Sequence, residues 1–277
     1  MSHPDDPLDF TGRRVLVVGG SSGIGNGIAR AFLARGASVA VWGTRASAAD
    51  YAAEPGSDLS GLAYASVDVA DDAAVARAAA AFDALDVLVM SQGVVLYKRG
   101  EYAMPGFRQV LDVNLTSVMA CCMAFHPMLK ASGGSAIVVS STAAFHATRG
   151  NPAYGASKAG AVGLVRTLAD AWAADGIRVN GIAPGFVATK MTRVTTGDPK
   201  RLEAALARIP AGRLGTPQDM AGAALFLASP LAAYVVGHTL PVEGRQLLGC
   251  TAPRPTRPGA DDARRDPKPA SRQRRAR

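Results

Sequence analysis

The chain has 277 residues, 48% of them hydrophobic, so it can bury the core of one large domain or two small ones and is not disordered as a whole. Three cysteines (Cys121, Cys122, Cys250) and four scattered histidines (His3, His126, His146, His238) offer neither a disulfide framework nor a metal-ligand spacing. Of the formal charge of +8, the stretch from Thr251 onward holds eight Arg and one Lys against three Asp, a balance of +6 that leaves +2 for residues 1–250.

Residues 1–10 are acidic and proline-rich and read as an N-terminal extension, not a secretory signal. Residues 250–277 mix arginines with prolines and lack apolar residues. They read as a disordered tail with no specific nucleic-acid partner. Between them, the apolar stretches are broken before the roughly 18 residues that a membrane span needs. A cytoplasmic protein off the membrane is expected, and the odd cysteine count fits a reducing compartment.

From residue 13 to about 242, short β-branched runs alternate with longer Ala-rich stretches, the pattern of consecutive βαβ units. A strand over 13–18 leads into a helix over 23–34. Strands over 38–42 and 62–67 follow, then a helix over 71–82 opened by Asp71-Asp72, and a strand over 87–90. A long helix over 105–129, a strand over 136–140, a helix over 154–174 and a strand over 178–182 come next. Residues 184–215 break the alternation, with Gly197-Asp198-Pro199 in their middle, and read as a lid near the strand ends. A helix over 217–228 and a strand over 239–242 close the domain. The expected fold is α/β: a Rossmann-like, doubly wound parallel sheet of about seven strands in a single domain over 11–249, with helices on both faces.

The first strand ends in Val18-Gly19-Gly20-Ser21-Ser22-Gly23-Ile24-Gly25 and a helix begins at once. Glycines here permit a tight turn and bring backbone N–H groups and a helix N-terminus to a pyrophosphate, making Gly19, Ser21, Ser22, Gly23, Ile24 and Gly25 candidate dinucleotide contacts. The second strand ends in Trp42-Gly43-Thr44-Arg45, with no carboxylate to repel a 2′-phosphate and an arginine that could pair with one. NADP(H) is the favoured cofactor, with NAD(H) the alternative. Tyr154 and Lys158 lie four apart on one helix and so share a face. A nearby ammonium is expected to lower the phenol's pKa and suit it to acid–base work at neutral pH. Ser141 stands thirteen residues earlier at a strand end, and Asn114 lies inside the long helix.

The strings Gly19-x-x-x-Gly23-x-Gly25, Asp112-Val113-Asn114-Leu115, Val138-Val139-Ser140-Ser141 and Tyr154-Gly155-Ala156-Ser157-Lys158 resemble the short-chain dehydrogenase/reductase family, and the resemblance spans about residues 10–248. It implies that Ser141 binds the substrate oxygen, Tyr154 is the general acid/base, Lys158 supports it, and Asn114 distorts its helix to hold a water linked to the lysine. Asp68 and Val69 would flank the adenine. Gln92 and Gly93 stand near the ribose, while the backbone near Val187 and the Thr189 hydroxyl would hold the nicotinamide carboxamide. Val18 replaces the family's Thr, Met90-Ser91-Gln92 replaces Asn-Asn-Ala, and Val242-Glu243-Gly244-Arg245 stands where Asp-Gly-Gly is usual. The family implies a homodimer or homotetramer through the helices carrying Asn114 and Tyr154, and a small alcohol or ketone as substrate. Phe145, His146, Phe186, Met191 and Ile209 are candidates for its pocket wall.

Two other readings compete. Gly155-Ala156-Ser157-Lys158-Ala159 nearly spells a nucleophile elbow, but Gly150-Asn151-Pro152-Ala153 precedes it where a strand is needed. A non-catalytic, dinucleotide-sensing regulator would share the fold without turnover.

Overall fold

The computed structural model describes residues 6–245 and 247, so the first five residues of the N-terminal extension and all of the 250–277 tail, with His3 and Cys250, lie outside the described residues. Seven strands form one sheet: β1 (Arg14–Val18), β2 (Ser38–Gly43), β3 (Ala63–Ser66), β4 (Val87–Met90), β5 (Ser135–Val139), β6 (Arg178–Pro184) and β7 (Thr239–Val242). Their order is β3-β2-β1-β4-β5-β6-β7, every pairing parallel. The helices are α1 (Gly23–Ala34), α2 (Asp72–Ala79), α3 (Met104–Leu111), α4 (Ser117–Ser132), α5 (Pro152–Trp172), α6 (Arg193–Thr196), α7 (Pro199–Ala207) and α8 (Pro217–Ala228).

The two-residue side-chain period of a strand divides β1 between two cores. Leu16 and Val18 join the layer holding Val118 and Phe125 of α4 and Val165 and Leu168 of α5. Val15 and Val17 join Ile28 and Phe32 of α1 and Met220 and Leu225 of α8. The central strands β4 and β5 are buried at every position, which is why they read as unbroken apolar runs. Phe10, read as part of an extension, is buried in the second core with its ring edge-on to Phe32 at 4.8 Å.

Two segments depart from the sequence reading. The expected 105–129 helix is two helices joined by a π-helical turn at Asp112–Thr116, where the buried Asn114 amide is tied sideways to Val94, its Oδ1 accepting from the Val94 N–H and its Nδ2 donating to the Val94 carbonyl. Counted as one run, Met104–Ser132 reaches the length and mean hydropathy of a membrane-crossing helix, contrary to expectation. Here Cys121, Cys122, Phe125 and Leu129 of that run pack into the first core. Within the 184–215 insertion, Asp198 caps α7 through the N–H groups of Lys200 and Arg201, with Pro199 in the first turn.

At the opposite edge of the sheet from the strand ends, Asp86 pins β1 to β4. Its carboxylate accepts from the Arg14 backbone (2.9 Å) and guanidinium (2.9 Å) and from Arg13 (3.2 Å). Burial opposes ionisation, but the two arginines and the Arg14 N–H outweigh it and hold this carboxyl below its ordinary range. Asp86→Asn is expected to lower stability by about 1–3 kcal/mol in urea unfolding at pH 7. The folded value lies below the unfolded one of about 3.9, so the carboxylate's contribution is full above that pH and is lost as pH falls through the folded value. The gap between the two proteins should therefore narrow on acidification; a gap that is constant to pH 2 contradicts this role.

Candidate active site

The strand order reverses at β1, whose neighbours β2 and β4 send their following loops to opposite sides, and a cleft opens at the carboxyl edge there. Its volume is about 290 Å³. The turn after β1 supplies Gly19, Ser21, Ser22, Gly23, Ile24 and Gly25 to the wall; Thr44 comes from the end of β2, Val69 from beyond β3, and Gln92 and Gly93 from the end of β4. Ser141, Tyr154 and Lys158 line the far end, with Val187 and Thr189 from the lid. A wider, open hollow of about 880 Å³ on the outer side of α1 contains none of the Ser, Tyr and Lys trio, so the chemistry belongs to the narrower cleft.

Lys158 is 4% exposed, and its Nζ donates to the Val139 carbonyl at 2.9 Å and stands 5.8 Å from the centre of the Tyr154 ring. Burial pulls its pKa down to about 8. Tyr154 departs from the expected downward shift. Burial of the phenol in the cleft pushes it up, with Tyr97 and Glu101 adding to this, and the Ser141 hydrogen bond only partly reverses it. The phenol is therefore an acid at neutral pH. Ser140 Oγ donates to the Lys158 carbonyl (2.8 Å) and fixes this turn of α5 against the end of β5.

Asn114 lies fully buried behind the wall, its Nδ2 also donating to Ser157 Oγ at 3.2 Å. A Cβ on Gly93 would come to 3.5 Å from both Asn114 Oδ1 and Lys158 Nζ, so both groups border the space beside this glycine.

The other end of the cleft suits an anionic dinucleotide. Gly19 has φ +73° and backs onto the Gln92 backbone at 2.7 Å from where a Cβ would be; a Cβ on Gly25 would strike the Gly19 carbonyl at 2.3 Å. No bulkier residue permits this turn. Ser22 makes no side-chain cap, which leaves the positive end of α1 facing the cleft. Gln92 on the wall retains a buried Oε1 with no partner among the described residues.

Two expected contacts fall outside the cleft wall. Asp68 is exposed and its carboxylate accepts from the Ala70 N–H in the approach to α2. Arg45 lies over the Tyr51 ring at 4.4 Å and pairs with Glu54 at 2.7 Å. The same Glu54 carboxylate meets Lys190 at 3.1 Å and Arg193 at 3.8 Å, so three cations share one anion beside Thr44. Of the proposed substrate wall, Met191 lines the cleft, Phe145 and His146 are exposed, and Phe186 and Ile209 line a separate small cavity.

Residues that sequence reasoning missed include Tyr97, whose hydroxyl donates to the Met191 carbonyl of the lid at 2.7 Å, and Glu101, 1% exposed beneath the start of α5. Neither falls in a motif; an acidic residue in a polar stretch carries no signal that it will be buried.

The family described as Enoyl-(Acyl carrier protein) reductase matches residues 18–244. The chain is 38% identical to 3-oxoacyl-(acyl-carrier-protein) reductase FabG of Chlamydia pneumoniae, over 86% of this chain and 98% of the relative. It is 36% identical to 2-dehydro-3-deoxy-D-gluconate 5-dehydrogenase of Bacillus subtilis, over 88% and 98%. Among solved structures, the RhlG/NADP active-site complex of Pseudomonas aeruginosa superposes with a TM-score of 0.79 at 34% identity, over 89% of this chain and 100% of that one.

Gly25→Ala is expected to distort the turn after β1 and weaken dinucleotide binding by about tenfold or more, ~1.4 kcal/mol, in a fluorescence titration with NADPH. Unchanged affinity would remove the turn from the binding site.

Proposed function

The chain belongs to the short-chain dehydrogenase/reductase family, and we propose from that premise that it interconverts a secondary alcohol and a ketone with Tyr154 as the general acid/base. It is an oxidoreductase of this family; the relatives lend no support to a non-catalytic sensor. The observation that carries the assignment of roles is the convergence of Ser141, Tyr154 and the buried Lys158 ammonium at one end of a cleft whose other end is a glycine turn on a helix N-terminus.

In the reducing direction, the hydroxyls of Ser141 and Tyr154 donate to the substrate carbonyl oxygen and polarise it. Tyr154 then gives up its proton to that oxygen. The phenolate left behind is stabilised by Ser141 and by the ammonium of Lys158, which is charged below a pH of about 8. In the oxidising direction Tyr154 takes the alcohol proton instead. The nicotinamide, when bound, supplies or accepts the hydride. Asn114 braces the loop after β4 and Ser157 on α5, and so keeps the lysine side of the cleft in place.

NADP(H) is favoured over NAD(H). No acidic residue ends β2, Arg45, Lys190 and Arg193 outnumber Glu54 there, and the RhlG relative is an NADP complex. The turn residues from Gly19 to Gly25 would seat the pyrophosphate, Thr44 the adenosine side with Arg45 beyond the wall next to it, Val69, Gln92 and Gly93 the adenine and ribose walls, and Val187 and Thr189 the carboxamide, while the Asp68 carboxylate is turned away to the Ala70 N–H. A cytoplasmic location agrees with Cys121 and Cys122 being buried free thiols, and assembly as a homodimer or homotetramer through α4 and α5 agrees with Met123 standing 55% exposed on α4.

A panel of ketones and alcohols, including 3-oxoacyl thioesters and keto-sugar acids, followed by nicotinamide absorbance with both cofactors, tests the assignment. Lys158→Ala is expected to lose about 10²-fold or more in kcat at pH 7; wild-type rates would sink it. Arg45→Glu is expected to weaken NADPH about tenfold more than NADH, and an equal effect on both removes the cofactor preference.

A further inference from the structure

Glu101 belongs to none of the motifs, yet it is 1% exposed, among the most buried carboxylates of the chain. It sits in the short 3-10 turn Gly100–Tyr102 that follows the loop leaving β4. Its three partners are all N–H donors: the Leu96 backbone at 3.1 Å and Asn151 Nδ2 at 3.1 Å on one oxygen, and the Tyr154 backbone at 2.9 Å on the other. No basic side chain is paired with it among the described residues. Three donors and no acceptor suit an ionised carboxylate. The site itself, at the positive end of the 21-residue α5, explains how such a charge is tolerated without a cation.

Its position is mechanical as well. Asn151 and Tyr154 occupy the N-cap and first turn of α5, so the carboxylate grips the very turn that carries the Tyr154 phenol. Leu96 belongs to the β4 loop, and Asn151 Nδ2 also reaches the Leu96 carbonyl at 3.2 Å. The next residue, Tyr97, spans the mouth of the cleft to the lid at Met191. One carboxylate therefore joins the catalytic turn to the loop that borders the substrate.

We propose, resting on the reading of Tyr154 as the general acid/base, that Glu101 is a positioning residue of the reaction: it fixes the first turn of α5 to the β4 loop and sets a negative charge against the backbone of the turn that carries the phenol. The groups that bear on that phenol are Ser141 and Tyr97 from the loops, Glu101 from the 3-10 turn and Lys158 from α5. Lys158 favours the phenolate, and Glu101 opposes it. Burial already keeps Tyr154 a proton donor at neutral pH, and the Glu101 charge adds to it, which suits ketone reduction.

The test is the pH profile of alcohol oxidation, whose rising limb reports deprotonation of the tyrosine. Glu101→Gln removes the charge and is expected to move that limb down by about half a pH unit or more. Glu101→Asp keeps the charge but withdraws it by a methylene, and is expected to lower kcat about tenfold with the limb near its wild-type place. A Glu101→Gln limb at the wild-type pH overturns the proposal, as does a Glu101→Asp kcat within about twofold of wild type. Should Glu101→Gln not fold, the Glu101→Asp result decides alone. Failure of the underlying reading looks different: the wild-type protein itself would show no turnover, or no rising limb.

Discussion

A buried ammonium sets the terms for the rest of the structure. Removing the Lys158 charge from water costs several kcal/mol unless neighbouring dipoles answer it. The surroundings of the amine draw on three stretches that are far apart in sequence. The end of β5 offers the Val139 carbonyl, Ser140 holds the lysine's own backbone, and the glycine at 93 beyond β4 and Asn114 from the π turn border the space beside the amine. The incomplete compensation is visible in an amine whose pKa has fallen to about 8. That value leaves the lysine charged at neutral pH and close enough to titration to respond to its neighbours.

The Tyr154 phenol is set by opposing influences. Burial, Tyr97 and Glu101 favour the protonated form; Ser141 favours the phenolate, as does a charged lysine beside the ring. Such a balance keeps the proton on the enzyme until a substrate oxygen is there to take it. The parallel sheet supplies the rigidity this needs, since β5 is packed into both cores and α5 into the first, whereas the lid is closed on itself by a short bridge between Val187 and Gly215 and held to the body by contacts such as the Tyr97 hydrogen bond and the Lys190–Glu54 pair.

Much of this was legible in the sequence because the signals are local. The β-branched runs placed six of the seven strands to within a residue at each end, and the spacing of Tyr154 and Lys158 needs only one helix to bring them together. Asp198-Pro199 was also a readable helix start, but the glycine before it and the length of the insertion drew attention to a lid. What could not be read depends on long-range partners. Nothing in Asp112-Val113-Asn114 announces that Val94 will pull the asparagine sideways, or that Glu54 will gather Arg45, Lys190 and Arg193 around one carboxylate. Glu101 is the clearest case: its burial is decided by N–H donors five, fifty and fifty-three residues away.

The central claim is that the proton of the reaction passes through one phenol. It is tested most directly by pre-steady-state turnover of Tyr154→Phe with NADPH and a ketone that the wild-type protein reduces, alongside a titration of NADPH binding. The account predicts that cofactor affinity stays within about threefold of wild type while the hydride-transfer rate falls by about 10²-fold or more. Wild-type transfer in a variant that lacks the hydroxyl would contradict it.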